Sequence, residues 1–148
     1  MYLITNLKYE YGNICDLAEN QLINDKNIQG IIEKAKKDKE VLAVALFGSY
    51  ARGEEYKDID ICISLKNKSY DKQYLAKKRF QYTLTNEKYD VQIFQLLPIY
   101  IRKRILKEGK ILYCIDENNL YDIYLFTIEE FEDFKPLYES YLEAVESG

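Results

Sequence analysis

The sequence predicts an α/β or α+β fold: one small sheet flanked by helices, with C-terminal helices after it. Three observations carry this reading. The continuous apolar run at 41–47 has the length and composition of a central strand buried on both faces. Two further segments, 58–64 and 88–96, alternate apolar and polar residues with the two-residue period of a strand. Stretches with apolar residues at helical spacing separate and follow these segments, and such mixing in a short chain favours a single sheet with helices packed on it.

Residues 1–26 are weakly patterned and read as a short extended piece followed by an irregular helix. Asn27 is the expected N-cap of a helix from Ile28 to about Lys39, whose lysines gather toward its C-terminal end. After the strand at 41–47, the strand at 58–64 sets Ile59, Ile61 and Ile63 on one face and Asp58, Asp60 and Cys62 on the other. Ser69 or Asp71 opens a helix running to about Leu84. Along 88–96, Tyr89, Val91 and Ile93 point one way and Asp90, Gln92 and Phe94 the other. Pro98 suits the first turn of a helix that Gly109 closes, and a fourth strand covers 111–115. From 117 to 146 the pattern is helical. A break is expected near Pro136, because proline lacks the amide hydrogen and crowds the preceding turn. No repeat or low-complexity tract divides the 148 residues. They read as one domain, with a core over 28–115 and C-terminal helices over 117–146.

Hydrophobic residues make up 47% of the chain and charged residues 31%, the balance of a globular protein and not of a disordered one. No apolar stretch has the length of a membrane span. The N-terminus lacks a basic segment followed by an apolar one, so a cytoplasmic location is expected. A net charge of −4 argues against a general nucleic-acid binder. Cys15, Cys62 and Cys114 are far apart in a chain without histidine. That excludes Cys/His metal sites and both Ser-His-Asp and Cys-His catalysis, and the cysteines read as small buried hydrophobes. Acid–base work would fall to carboxylates, lysine, tyrosine or water.

The residues that carry chemistry lie between 42 and 64. The apolar strand runs into Gly48-Ser49, where a glycine lets a polyphosphate approach the backbone amides and the serine adds a hydroxyl donor. Asp58 and Asp60 open the next strand two residues apart, which sends both side chains from one face. Two carboxylates about 4 Å apart repel by roughly 4 kcal/mol at an effective dielectric near 20. A divalent cation reverses that cost, and carboxylate, phosphate and water oxygens are the ligands Mg²⁺ prefers. An isolated Asp-x-Asp is a weak signal, and Arg52 is as readily structural as phosphate-binding. Arg102, Lys103, Arg104 and Lys107 read as a solvated helix face. Tyr138 and Tyr141 read as packing residues in preference to an interface. The aspartates at 16, 25, 38, 71, 116, 122 and 133 read as surface or capping residues.

Phe47-Gly48-Ser49-Tyr50-Ala51-Arg52-Gly53, followed after four residues by Asp58-x-Asp60, resembles the signature of the DNA polymerase β-like nucleotidyltransferases. Among them it looks like the minimal nucleotidyltransferases of HEPN toxin–antitoxin pairs. The likeness continues through Leu97-Pro98 and the basic helix after it, Tyr113, Tyr121 and the segment Phe131 to Pro136, and so covers 28–146. The resemblance implies the nucleotidyltransferase fold with its small mixed sheet. It implies that Gly48 and Ser49 hold the nucleotide's phosphates, with Arg52 a candidate beside them, and that Asp58 and Asp60 bind Mg²⁺. Asp90, thirty residues after Asp60, is the match for the third carboxylate, which completes the metal site and helps deprotonate the attacking hydroxyl.

The function so implied is Mg²⁺-dependent transfer of AMP from ATP to a hydroxyl, a tyrosine of a cognate HEPN-domain toxin RNase, with this protein as the antitoxin. Direct nucleic-acid binding and membrane association are not expected, and a homo- or hetero-oligomer stays open. Only eight residues separate Ser49 from Asp58, fewer than is usual in the family. An antitoxin that neutralises by binding alone therefore stays open as an alternative, as does an antibiotic-type small-molecule nucleotidyltransferase.

Overall fold

The computed structural model describes residues 25–147, so the extended piece and irregular helix expected before residue 25 lie outside the described residues. The elements are α1 (Lys26–Lys37), β1 (Val41–Phe47), the single turn α2 (Gly48–Ala51), β2 (Ile59–Leu65), α3 (Lys72–Tyr82), β3 (Tyr89–Ile93), a 3₁₀ turn (Phe94–Leu96), α4 (Ile99–Glu108), β4 (Lys110–Cys114) and α5 (Glu117–Ser147). The four strands form a mixed sheet in the order β3-β2-β1-β4. β1 runs antiparallel to both β2 and β4, while β2 and β3 are parallel. That parallel pair needs a crossover, which α3 supplies.

Helices cover both faces of the sheet. Ile28, Ile31 and Ala35 of α1 and Leu75 and Tyr82 of α3 pack on one face, against Val44, Ile61, Ile63, Val91 and Ile93. Ile105 and Leu106 of α4 and Leu120, Tyr121, Ile123 and Tyr124 of α5 pack on the other, with Ala43, Ala45, Cys62 and Phe94. Asp90 and Gln92 thus share a face with Phe94, as the alternation predicts. Cys62 is buried, and burial pushes its thiol well above the usual range. Among the described residues no helix is long and apolar enough to cross a membrane.

Some expectations need correction. Asp25, not Asn27, caps α1, its carboxylate accepting from the amides of Asn27 and Ile28 at 2.9 and 3.2 Å. β2 begins at Ile59, so Asp58 sits in the bend before the strand and not on it. Gly109 caps α4 as expected, at φ −65. What it supplies is room: a Cβ there would lie 2.6 Å from the Ile105 carbonyl oxygen. Finally, α5 runs unbroken through Pro136. The carbonyl that Pro136 leaves without an amide partner lies where the helix is exposed and water can reach it.

Candidate active site

Strand pairing brings the predicted residues to one end of the sheet. The antiparallel β1/β2 ladder sets Phe47 opposite Asp60, and the parallel β2/β3 ladder sets Asp60 beside Asp90. The Gly48 turn, Asp60 and Asp90 thereby converge, although they come from three separate segments of the chain.

Phe47 ends β1 in extended backbone, and Gly48 turns the chain at φ +74. A Cβ on Gly48 would stand 2.2 Å from Oδ2 of Asp60. Only glycine meets both the dihedral angle and the approach. The turn is held by bonds from the amides of Arg52 to the Gly48 carbonyl (3.1 Å) and of Glu54 to the Ser49 carbonyl (3.0 Å). Ser49 is half-buried beside it.

Asp60 is half-buried, and Asp58 is exposed at the mouth of the site. Burial, then the charges of Asp90 and Asp58, push the Asp60 carboxyl up to about 6, with Arg52 acting in the opposite direction. Asp90 is oriented by residues that sequence reasoning missed. The Gln92 side-chain amide donates to both its oxygens, at 3.0 and 3.2 Å. Arg79 lies 3.6 Å from Oδ1 and also donates to the Val91 carbonyl at 3.2 Å. Gln92 could have been suspected, since it lies two residues beyond Asp90 on the same face. Arg79 leaves no such signal.

Arg52 is ion-paired with Glu54 (3.0 Å) and Glu108 (2.8 Å). To meet a phosphate it would have to exchange one of these carboxylates. Arg102 of the expected basic face is structural as well: it grips Glu130 at 3.1 Å and donates to the Leu97 carbonyl. Lys103 lies over the Phe131 ring.

The donor set is that of a hard cation, carboxylate oxygens without sulfur or imidazole. Burial raises the Asp60 carboxyl most, and the charges of Asp90 and Asp58 add to it, a charge that a cation would relieve. Among the described residues no three His, Cys, Asp or Glu groups are gathered tightly enough to form a ready-made metal site.

The model of the polymerase beta nucleotidyltransferase family matches residues 29–118, and the chain belongs to that family. A proposed protein adenylyltransferase of Methanocaldococcus jannaschii is 36% identical over 75 residues, covering 49% of this chain and 56% of that protein. The chain thus spans about half the length of the curated relative it matches. Among solved structures, the complex of the tri-AMPylated HEPN toxin of Shewanella oneidensis with its MNT antitoxin contains a similar chain, with a TM-score of 0.61 at 16% identity, covering 85% of this chain and 98% of that one. A toxin–antitoxin structure with AMP-PNP gives 0.58 at 17% identity, covering 82% and 98%. At these identities the likeness is one of fold.

Proposed function

We propose that the protein transfers AMP from ATP to a hydroxyl of a partner protein, a tyrosine of a HEPN-domain toxin, and thereby acts as its antitoxin. The observation that carries this reading is Asp60, held against the Gly48 turn on one side and paired in register with Asp90 on the other. One point of the fold thus joins a phosphate-accepting backbone to a cation-binding carboxylate pair. The relatives named above, an adenylyltransferase and an AMPylated toxin complex, support the same chemistry.

The amides of the Gly48–Ser49 turn would receive the phosphates, and Asp58, Asp60 and Asp90 would hold Mg²⁺. A bound Mg²⁺ supplies charge neutralisation for the entering and leaving oxygens. Asp90, fixed by Gln92, takes the proton of the attacking hydroxyl. That oxygen bonds to the α-phosphorus as the bond to the β,γ-diphosphate breaks, releasing pyrophosphate.

Incubation with ATP, Mg²⁺ and the HEPN-domain protein of the same genome should add one or more AMP masses to that protein. No added mass, where a known adenylyltransferase modifies its own partner under the same conditions, refutes the transfer. A binding-only antitoxin is the second reading, favoured by the ion pairs that occupy Arg52. Asp58→Ala separates the two. Transfer by adenylylation predicts at least a ~100-fold loss of AMP incorporation and of neutralisation together, whereas binding alone leaves neutralisation intact.

A further inference from the structure

Among the described residues, nothing covers the apolar side of the second half of α5. Through Thr127 the helix is buried against the sheet. Phe134 and Tyr138 then stack in series with Tyr100 of α4, at 5.7 and 6.0 Å between rings. From Glu139 to Ser147 every residue is exposed. Leu137, Tyr141 and Val145, spaced four apart, are 71%, 64% and 60% exposed, and Leu142 is 41% exposed. At 100° per residue these four continue the stripe that Phe134 and Tyr138 begin. Glu139, Glu143 and Glu146 form one flank of the stripe, and residues 136–147 contain no Lys or Arg. In the sequence the nearest basic residue is Lys135, at the base.

A contiguous apolar stripe on a free helix marks an interaction surface. Its charge selects the occupant. A second copy would set acidic flank against acidic flank, which disfavours self-pairing. The complement is an apolar groove rimmed by Lys and Arg, the character of a protein surface that also faces nucleic acid. We propose that residues 137–146 are a docking arm that seats in such a basic-rimmed groove on the protein modified at the active site. This rests on the transfer reading for the identity of the partner. It adds a contact that neutralises charge on that partner whether or not AMP has been transferred.

The test uses the full chain, the HEPN-domain protein of the same genome as probe, and two triple variants. All six altered residues are exposed and outside the core, so thermal midpoint and ATP–Mg²⁺ binding should match wild type. Leu137→Glu with Tyr141→Glu and Val145→Glu should weaken binding of the HEPN protein at least ~50-fold. Glu139→Lys with Glu143→Lys and Glu146→Lys should weaken it about tenfold and flatten its salt dependence. Equal binding by wild type and the apolar triple variant overturns the arm. So does a wild-type chain that dimerises alone and becomes monomeric in that variant. AMP transfer without arm-dependent binding overturns the arm and keeps the transfer reading. Arm-dependent binding without AMP transfer supports the arm and overturns the transfer reading.

Discussion

Gly48 and Asp60 constrain each other, because the turn has room for the carboxylate only while residue 48 lacks a Cβ. Gly48→Ala must relieve a contact of 2.2 Å with Asp60 Oδ2 and a positive φ, so it should cost about 1–3 kcal/mol in a denaturant melt. It should also abolish ATP binding measured by calorimetry. Asp60 itself is a cost to the metal-free fold at neutral pH. Its folded pKa lies above the unfolded value, so the stability it contributes is full below about pH 4 and is lost as pH rises to about 6. Asp60→Asn should therefore raise metal-free stability at pH 7.5 by about 1–2 kcal/mol after allowing for solvent screening. The gain should vanish near pH 4 and AMP transfer should be lost. Asp38 behaves in the opposite sense. Burial alone would raise its carboxyl, but bonds from Lys78, the Glu40 amide and Tyr82 outweigh that and hold it below the usual range. Its contribution persists at neutral pH and is lost in acid. Asp38→Ala strands Lys78, which is only 10% exposed, and should cost about 3 kcal/mol in the same melt.

At the scale of elements, Pro136 divides α5 into a packed half and a free one without breaking it. Pro136→Ala restores an amide donor to the exposed half and should slow hydrogen exchange over 137–147 while leaving the melting of the core unchanged. Period and punctuation made most elements legible. The apolar run at 41–47 is β1 residue for residue, and Asp71 caps α3 with a bond to the Gln73 amide at 2.8 Å. The phase along 88–96 set Asp90 and Gln92 on one face of the sheet and Val91 on the other. The proline rule failed at 136 because its cost falls on a carbonyl open to water. Arg79, Glu54 and Glu108 escaped notice because their pairings with site residues depend on how loops and helices pack. Such partners carry no periodic signal. Tyr138 and Tyr141 looked equivalent in sequence, yet only Tyr138 has a ring to stack on.

For the whole molecule, anything that binds the folded site stabilises the entire cooperative unit by mass action. ATP with Mg²⁺ at about 100 times its dissociation constant should add about 2.7 kcal/mol, raising the melting temperature by roughly 5–10 °C. Asp58→Ala should remove that shift while keeping the ligand-free melting temperature, since Asp58 is exposed and lies outside the strand. The parallel pairing of Asp60 with Asp90 has a mechanical consequence. Ladder hydrogen bonds fix the two strands at about 4.8 Å, so the sheet acts as a ruler that cation capture does not stretch. Loading the site becomes a matter of side-chain rotation against a stationary frame, with Asp90 kept in place by Gln92 and Arg79. In a magnetic resonance titration with Mg²⁺, side-chain carboxyl signals of residues 60 and 90 should move far more than the backbone amides of β2 and β3.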